Sequence, residues 1–181
     1  MSAFWQFLVD LLREVWPFRV VEGWERGVMT FWSRPWRDIP PGIWPVVPYL
    51  MDVKTASVVP AMMFGAKQDV TLEDGTPVAF SAAALVQIHD VRRAIYNVDD
   101  FKETMQEKLE AVVADELVDS TSERFNTARA RRGFLTRVTN RLGTEVAEYG
   151  VTVHAVTFRN FSLGLKTYRL LTDTSSATVS W

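Results

Sequence analysis

Side chains able to do chemistry are few and scattered in this chain of 181 residues. There is no cysteine, which excludes thiolate nucleophiles, disulfide frameworks, zinc fingers and iron–sulfur clusters. The histidines number two, His89 and His154, too few for a multi-histidine metal centre. His89 stands beside Asp90 at the end of a strand-like run and reads as a surface histidine more readily than as a general base. His154 falls on the polar phase of a strand with no partner in view. Asp115, Glu116 and Asp119 could hold a cation, although on a helix they more readily face solvent or an arginine. A basic group, Arg124, Arg129, Arg131, Arg132, Arg137 and Arg141, has Phe125 and Phe134 within it. A single-strand nucleic-acid platform would need aromatics on an exposed sheet face and a net basic domain. Neither is present, so contact with the acidic stretch is preferred and no nucleic-acid partner is expected. The nucleophile elbow, the phosphate-binding loop, the HExxH pattern and the dinucleotide fingerprint are all absent. No catalytic residue, metal site or cofactor is therefore expected, and the chain does not read as an enzyme.

The elements around these residues carry more information. Apolar residues make up 48% and charged residues 23%, enough for a substantial core. The net charge is −2 and the pI near 5.7. Six of the seven tryptophans (Trp5, Trp16, Trp24, Trp32, Trp36 and Trp44) lie in the first 44 residues. At about 100° per residue, Phe4, Trp5, Phe7, Leu8, Leu11, Leu12, Val15 and Trp16 share one arc of a helix. Ser2, Gln6, Asp10, Arg13 and Glu14 fill the remainder, and Pro17 stops it. At about 1.5 Å per residue the segment is too short to cross a hydrocarbon core of about 30 Å. It also lacks the basic start and cleavage site of a signal peptide. It lies in a membrane interface with its indoles at the polar boundary, or it docks on protein; both readings stand.

Residues 18–33 read as a strand, a turn around Gly23 and a second strand. Prolines 35, 40, 41, 45 and 48 then predict an extended, polyproline-like loop. That loop carries Trp36, Ile39, Ile43, Trp44 and Val47, which either pack on its own sheet or dip toward a bilayer. A strand is predicted over 49–58 and a β-hairpin around Asp74-Gly75. Val78, Phe80, Ala82, Ala84, Val86 and Ile88 alternate onto one face of its second arm. A short helix follows. A longer one, capped by Asp99 or Asp100, carries Phe101, Met105, Leu109, Val113 and Leu117. Another runs from about Glu123 to Tyr149, with Leu135, Val138, Leu142, Val146 and Tyr149 as its stripe and Gly150 as its cap. A strand closes the pattern, which is α+β.

Charge divides unevenly. Residues 1–60 are neutral, 61–119 hold five Lys/Arg against twelve Asp/Glu, and 120–181 hold nine against four. The acidic and basic stretches pair within one chain, or between chains in a head-to-tail assembly.

Five stretches in order resemble one family. They are Val21-Glu22 with Glu25-Arg26-Gly27-Val28, Pro41-Gly42-Ile43-Trp44-Pro45, Val70-Thr71-Leu72-Glu73-Asp74-Gly75, Val86-Gln87-Ile88-His89-Asp90 with Ala94 to Val98, and Gly150-Val151-Thr152-Val153. Together they resemble the SPFH superfamily of stomatins, prohibitins and flotillins, the band 7 domain, in a short form without the long C-terminal coiled coil. The resemblance implies an SPFH domain over 18–163, followed by a tail over 164–181; the interfacial helix over 1–17 is read from its own pattern and departs from the family's hydrophobic front element. It implies a non-enzymatic, peripheral membrane scaffold on the cytoplasmic face that forms homo-oligomers, binds membrane lipid, and organises a membrane patch or regulates membrane proteins. Lipid contact would fall to Phe4, Trp5, Phe7, Leu8, Leu11, Leu12, Val15, Trp16, Trp36, Ile39, Ile43, Trp44 and Val47. Lateral assembly would fall to Glu107, Glu110, Asp115, Glu116, Arg129, Arg132, Arg137 and Arg141. The alternative is a soluble, ring-forming structural protein of virion type that uses the first helix to dock subunits.

Overall fold

Strands dominate the first part of the chain because β-branched and aromatic residues recur there between turn residues. The computed structural model describes residues 18–47, 49–125 and 127–164. The expected interfacial helix over 1–17 and most of the tail lie outside those residues. The chain divides into two compact units, one holding residues up to Val59 and Ile88–Asp99, the other Pro60–Gln87 and everything from Asp100 onward.

The first unit contains β1 (Phe18–Val21), β2 (Glu25–Phe31), β3 (Arg34–Ile39), β4 (Gly42–Pro45), β5 (Met51–Ser57) and the short helix α1 (Val91–Tyr96). β2 is the centre of an antiparallel sheet ordered β3-β2-β5, and β1 pairs with β4 in a separate ribbon. The proline-rich segment is thus two strands and not the predicted loop. Both are edge strands, where a missing amide is tolerated. The register on β3 jumps from Met29↔Arg37 to Thr30↔Pro35, so Trp36 is the extra residue of a bulge beside Pro35. Val21, Met29, Ile39 and Val53 form the core, with Trp44, Val46 and Met51 packed against it. Gly27 lies inside β2. A Cβ there would stand 2.9 Å from Ile39 Cγ1 and 3.3 Å from Val53 Cγ1, so the packing around Ile39 requires glycine. Asp90 caps α1 by accepting the Arg93 amide at 3.1 Å, and α1 buries Val91 and Ala94.

The second unit contains β6 (Ala61–Phe64), β7 (Gln68–Thr71), β8 (Pro77–Ile88) and β9 (Val151–Leu163), with helices α2 (Phe101–Val118) and α3 (Ala128–Val146). β8 pairs with β6 and β7 in succession and also with β9. Val78, Phe80, Ala82, Ala84 and Val86 are buried on one face of β8 as expected, and Ala79, Ser81 and Ala83 on its other face are buried as well. Side chains this small, in a strand flanked on both edges, expose little on either face. Asp100 caps α2 by accepting the amides of Lys102 and Glu103 at 2.8 and 3.0 Å. α2 buries Met105, Leu109, Val112, Val113 and Leu117.

The helix predicted from about Glu123 to Tyr149 is a 3-10 turn (Ser122–Phe125), then α3, then a second 3-10 turn (Ala147–Tyr149) closed by Gly150 at φ 71. Its buried stripe is Phe134, Val138, Leu142 and Val146, with Leu135 only half-buried. Phe134 displaces Leu135 because it joins Phe80, Phe125, Phe158 and Phe161 in a ring cluster with neighbouring centroids 4.9–6.4 Å apart. Phe125 and Phe134 are therefore core residues.

The predicted turn at Asp74-Gly75 is present, with Gly75 at φ 78. The Asp74 carboxylate accepts the amides of Ser122 at 2.9 Å and Thr76 at 3.1 Å, tying the hairpin to the chain beyond α2. Hydrogen bonds from Ser122, and then Thr76, hold its pKa well below the usual carboxylate range. A depressed folded pKa contributes stability that is complete above about pH 4 and lost as the pH falls toward the folded value. Asp74→Asn should therefore be less stable than wild type at neutral pH, and the two unfolding midpoints should converge as the pH is lowered below about 4. A gap that stays constant in acid denaturation series would contradict the assignment.

Candidate functional site

In a strand, neighbouring side chains take opposite faces, so the adjacent aromatics of the Phe31-Trp32 run cannot both enter one core. β2 ends at Phe31, and the chain reverses through Trp32 and Ser33 into β3. Both turn residues have positive φ, 50° and 63°, the backbone of a tight hairpin turn that usually takes Asn or Gly. Trp32 is 73% exposed on this turn. The turn before β5 lies at the same end of the sheet, because Phe31 pairs with Met51 and the Trp32 amide donates to the Leu50 carbonyl at 2.9 Å. That second turn is closed by the amides of Leu50 and Met51 donating to the Val47 carbonyl at 3.3 and 2.9 Å. Tyr49 on it also has positive φ, 68°, and is fully exposed. Two non-glycine turns in left-handed conformations thus hold an indole and a phenol outward, beside exposed Phe31, Val47 and Leu50.

The β1–β4 ribbon leads to this tip. Phe18 pairs with Pro45 and Val20 with Ile43, and all four are exposed on one face of the ribbon. The other face turns Val21 and Trp44 toward the core. From Pro45 the chain runs through Val47 into the tip, so Phe18, which follows the amphipathic segment, sits at the tip end of the ribbon.

The predicted lipid-contact residues separate accordingly. Phe4, Trp5, Phe7, Leu8, Leu11, Leu12, Val15 and Trp16 lie outside the described residues. Trp36, Ile43 and Val47 are exposed, the first two at 60% and 69%. Ile39 is corrected: it is 2% exposed and belongs to the core beside Gly27. Trp44 is partly buried against that core, and its indole Nε1 donates to the Pro40 carbonyl at 2.9 Å. Phe31, Trp32, Tyr49 and Leu50 were not predicted as contacts. The available signal was the doubled aromatic at a strand end.

The predicted assembly residues separate too. Asp115 meets Arg141 at 2.9 Å, and Glu116 meets both Arg141 and Arg137 at 3.5 Å. Lys108 meets Glu145 at 3.4 Å, so α2 and α3 run antiparallel with their acidic and basic faces in register. These four predicted interface residues are thus paired within the chain. Glu110 is engaged internally as well, accepting from the Ala66 amide and from Gln68 Nε2 at 2.6 Å. Glu107, Arg129 and Arg132 are exposed. His154 Nε2 lies 2.9 Å from Gln87 Oε1, a partner the sequence did not indicate. Among the described residues no group of three or more His, Asp or Glu is arranged to hold a metal ion, and no helix is long and apolar enough to cross a membrane.

An α+β chain with hairpin, capped helices and closing strand in this order defines a class more than an activity. The SPFH domain / Band 7 family matches residues 19–174, and the chain belongs to that family. No curated protein matches its sequence.

Proposed function

We propose that the protein is a peripheral membrane scaffold of the stomatin/prohibitin type, working on the cytoplasmic face and organising a lipid patch or a membrane-protein client. The observation that carries this reading is the aromatic tip. Trp and Tyr favour the boundary between headgroups and acyl chains, where the ring is apolar and its polar edge stays wet. Family membership and the amphipathic pattern of the sequence over 2–16 support the same reading. Binding would rest on apolar burial and be little affected by salt. Flotation of the full chain with phosphatidylcholine vesicles tests it. The protein should rise with the vesicles in low and high salt alike. A protein that stays at the bottom while forming rings without lipid would favour the soluble assembly instead.

Homo-oligomers would form through the charges left exposed, Glu107 of one copy against Arg129 and Arg132 of the next. Glu107→Lys should dissociate the assembly on vesicles, and adding Arg132→Glu should restore it. Cross-linking on vesicles reads both. Equal yields for wild type and the single variant would refute this contact.

A further inference from the structure

We infer that the first unit carries a headgroup site beside the tip, built from Asp52, Lys54 and Tyr96, that takes an ethanolamine phospholipid. The inference rests on the membrane reading above and adds a lipid class to it.

Met51 and Val53 face the core, so Asp52 and Lys54 share the opposite face of β5. Tyr96 of α1 lies on that face, with Lys54 Nζ 5.3 Å from its ring centroid. A cleft of about 390 Å³ is bounded by these three residues and by Ser33, Tyr49 and Leu50 of the tip. Tyr49 and Leu50 thus belong both to the cleft wall and to the exposed tip. The Tyr96 hydroxyl is buried and has no hydrogen-bond partner among the described residues. Such a group is costly to leave unpaired and marks a place where a ligand can supply the missing partner. Burial, and then the nearby Asp52 charge, raise its pKa above the ordinary phenol value, so it remains a donor. Asp52 accepts the Val53 amide with Oδ1 at 2.8 Å, which leaves Oδ2 for a ligand.

Depth agrees with this chemistry. At about 3.3 Å per residue, Asp52 stands about 7 Å and Lys54 about 13 Å behind Leu50 along the strand. The headgroup layer of one leaflet is roughly 5–7 Å thick, from the difference between the full bilayer and its hydrocarbon core. With Trp32, Tyr49 and Leu50 at the acyl boundary, Asp52 falls in the headgroup layer, and the Lys54 ammonium reaches it on its flexible stem. The phosphate would accept from Lys54 and, after a shift of the Tyr96 ring that opens its buried hydroxyl to the cleft, from that hydroxyl, while the ethanolamine ammonium would donate to Asp52. Choline has no N–H for Asp52, and glycerol headgroups bring no cation.

Two arms separate this site from the membrane reading. In the first, the full chain is titrated with water-soluble glycerophosphoethanolamine while the tyrosine ring signals are followed by NMR. The Tyr96 signals, assigned with Tyr96→Phe, should shift with this probe and not with inorganic phosphate alone. No shift at millimolar concentrations overturns the site, whatever vesicles do. In the second, adding phosphatidylethanolamine to phosphatidylcholine vesicles should strengthen wild-type binding about fivefold. Lys54→Gln and Tyr96→Phe should lose that gain and keep the phosphatidylcholine level. Tyr96→Phe removes only an unpaired hydroxyl, so its fold should be intact. Variants that retain the gain overturn the site and leave the tip reading standing. Absence of wild-type binding to any vesicle overturns the tip reading.

Discussion

Replacing both Trp32 and Tyr49 with asparagine is expected to lower the vesicle partition coefficient at least 100-fold. Full burial of one aromatic side chain is worth about 1.5–3 kcal/mol, so two contribute roughly 3–6 kcal/mol, or about two to four powers of ten. Asparagine is chosen because both positions have positive φ, 50° and 68°, which asparagine adopts more readily than most residues. The fold should therefore be unharmed, and thermal unfolding would confirm it. Trp24 is the control. It is also exposed, but its carbonyl accepts the Val58 amide at 3.0 Å at the opposite end of the sheet from Trp32. Trp24→Gln should leave partition unchanged. Equal losses from Trp24→Gln and from the tip pair would mean that greasy surface in general, and not the tip, meets lipid.

The second large effect concerns the core. Phe134→Ala should destabilise the second unit by about 3–5 kcal/mol, the usual range for deleting a buried phenyl ring. The ring is 1% exposed, stacks on Phe158 at 5.7 Å and meets Phe125 edge-on at 5.2 Å. Neighbours this aromatic repack poorly around a void. Leu135→Ala, one position on, should cost less than about 1 kcal/mol because the side chain is only half-buried. Urea unfolding of the two variants measures the difference. The reverse order would place the helix in the phase read from its leucines.

That phase error shows what local pattern conveys. The stripe through Leu135, Val138, Leu142 and Val146 was nearly right, because α3 does bury a face at that spacing. The identity of its first member depended on partners in β9, more than twenty residues away, which periodicity cannot supply. The Asp74-Gly75 turn, the Asp100 cap and the Gly150 stop were legible because each is fixed by backbone chemistry within a few residues. The proline-rich segment was misread for the same local reason. Proline forbids a central strand, yet β3 and β4 are edge strands, and edge position is a property of the whole sheet.

The exposed tip was legible in part. Tryptophan enrichment marked the stretch of sequence that contains it, but which residues face outward follows from register. Ile39 and Ile43 look alike in sequence. One packs against the hollow left by Gly27, and the other lies on the outer face of the ribbon beside Val20. The charges gave a similar lesson. Arg141 and Asp115 were complementary on paper, and the antiparallel packing of α2 and α3 brings them together within one chain.

Spin labelling at the tip tests the membrane reading most directly. The chain has no cysteine, so Trp32→Cys, Tyr49→Cys and Trp24→Cys each give a single labelling site. Bound to phosphatidylcholine vesicles, labels at 32 and 49 should become protected from a water-soluble relaxation agent and gain exposure to oxygen, while the label at 24 stays aqueous. Labels at 32 and 49 that remain as open to the aqueous agent on vesicles as in solution, with the protein bound, would contradict insertion of the tip.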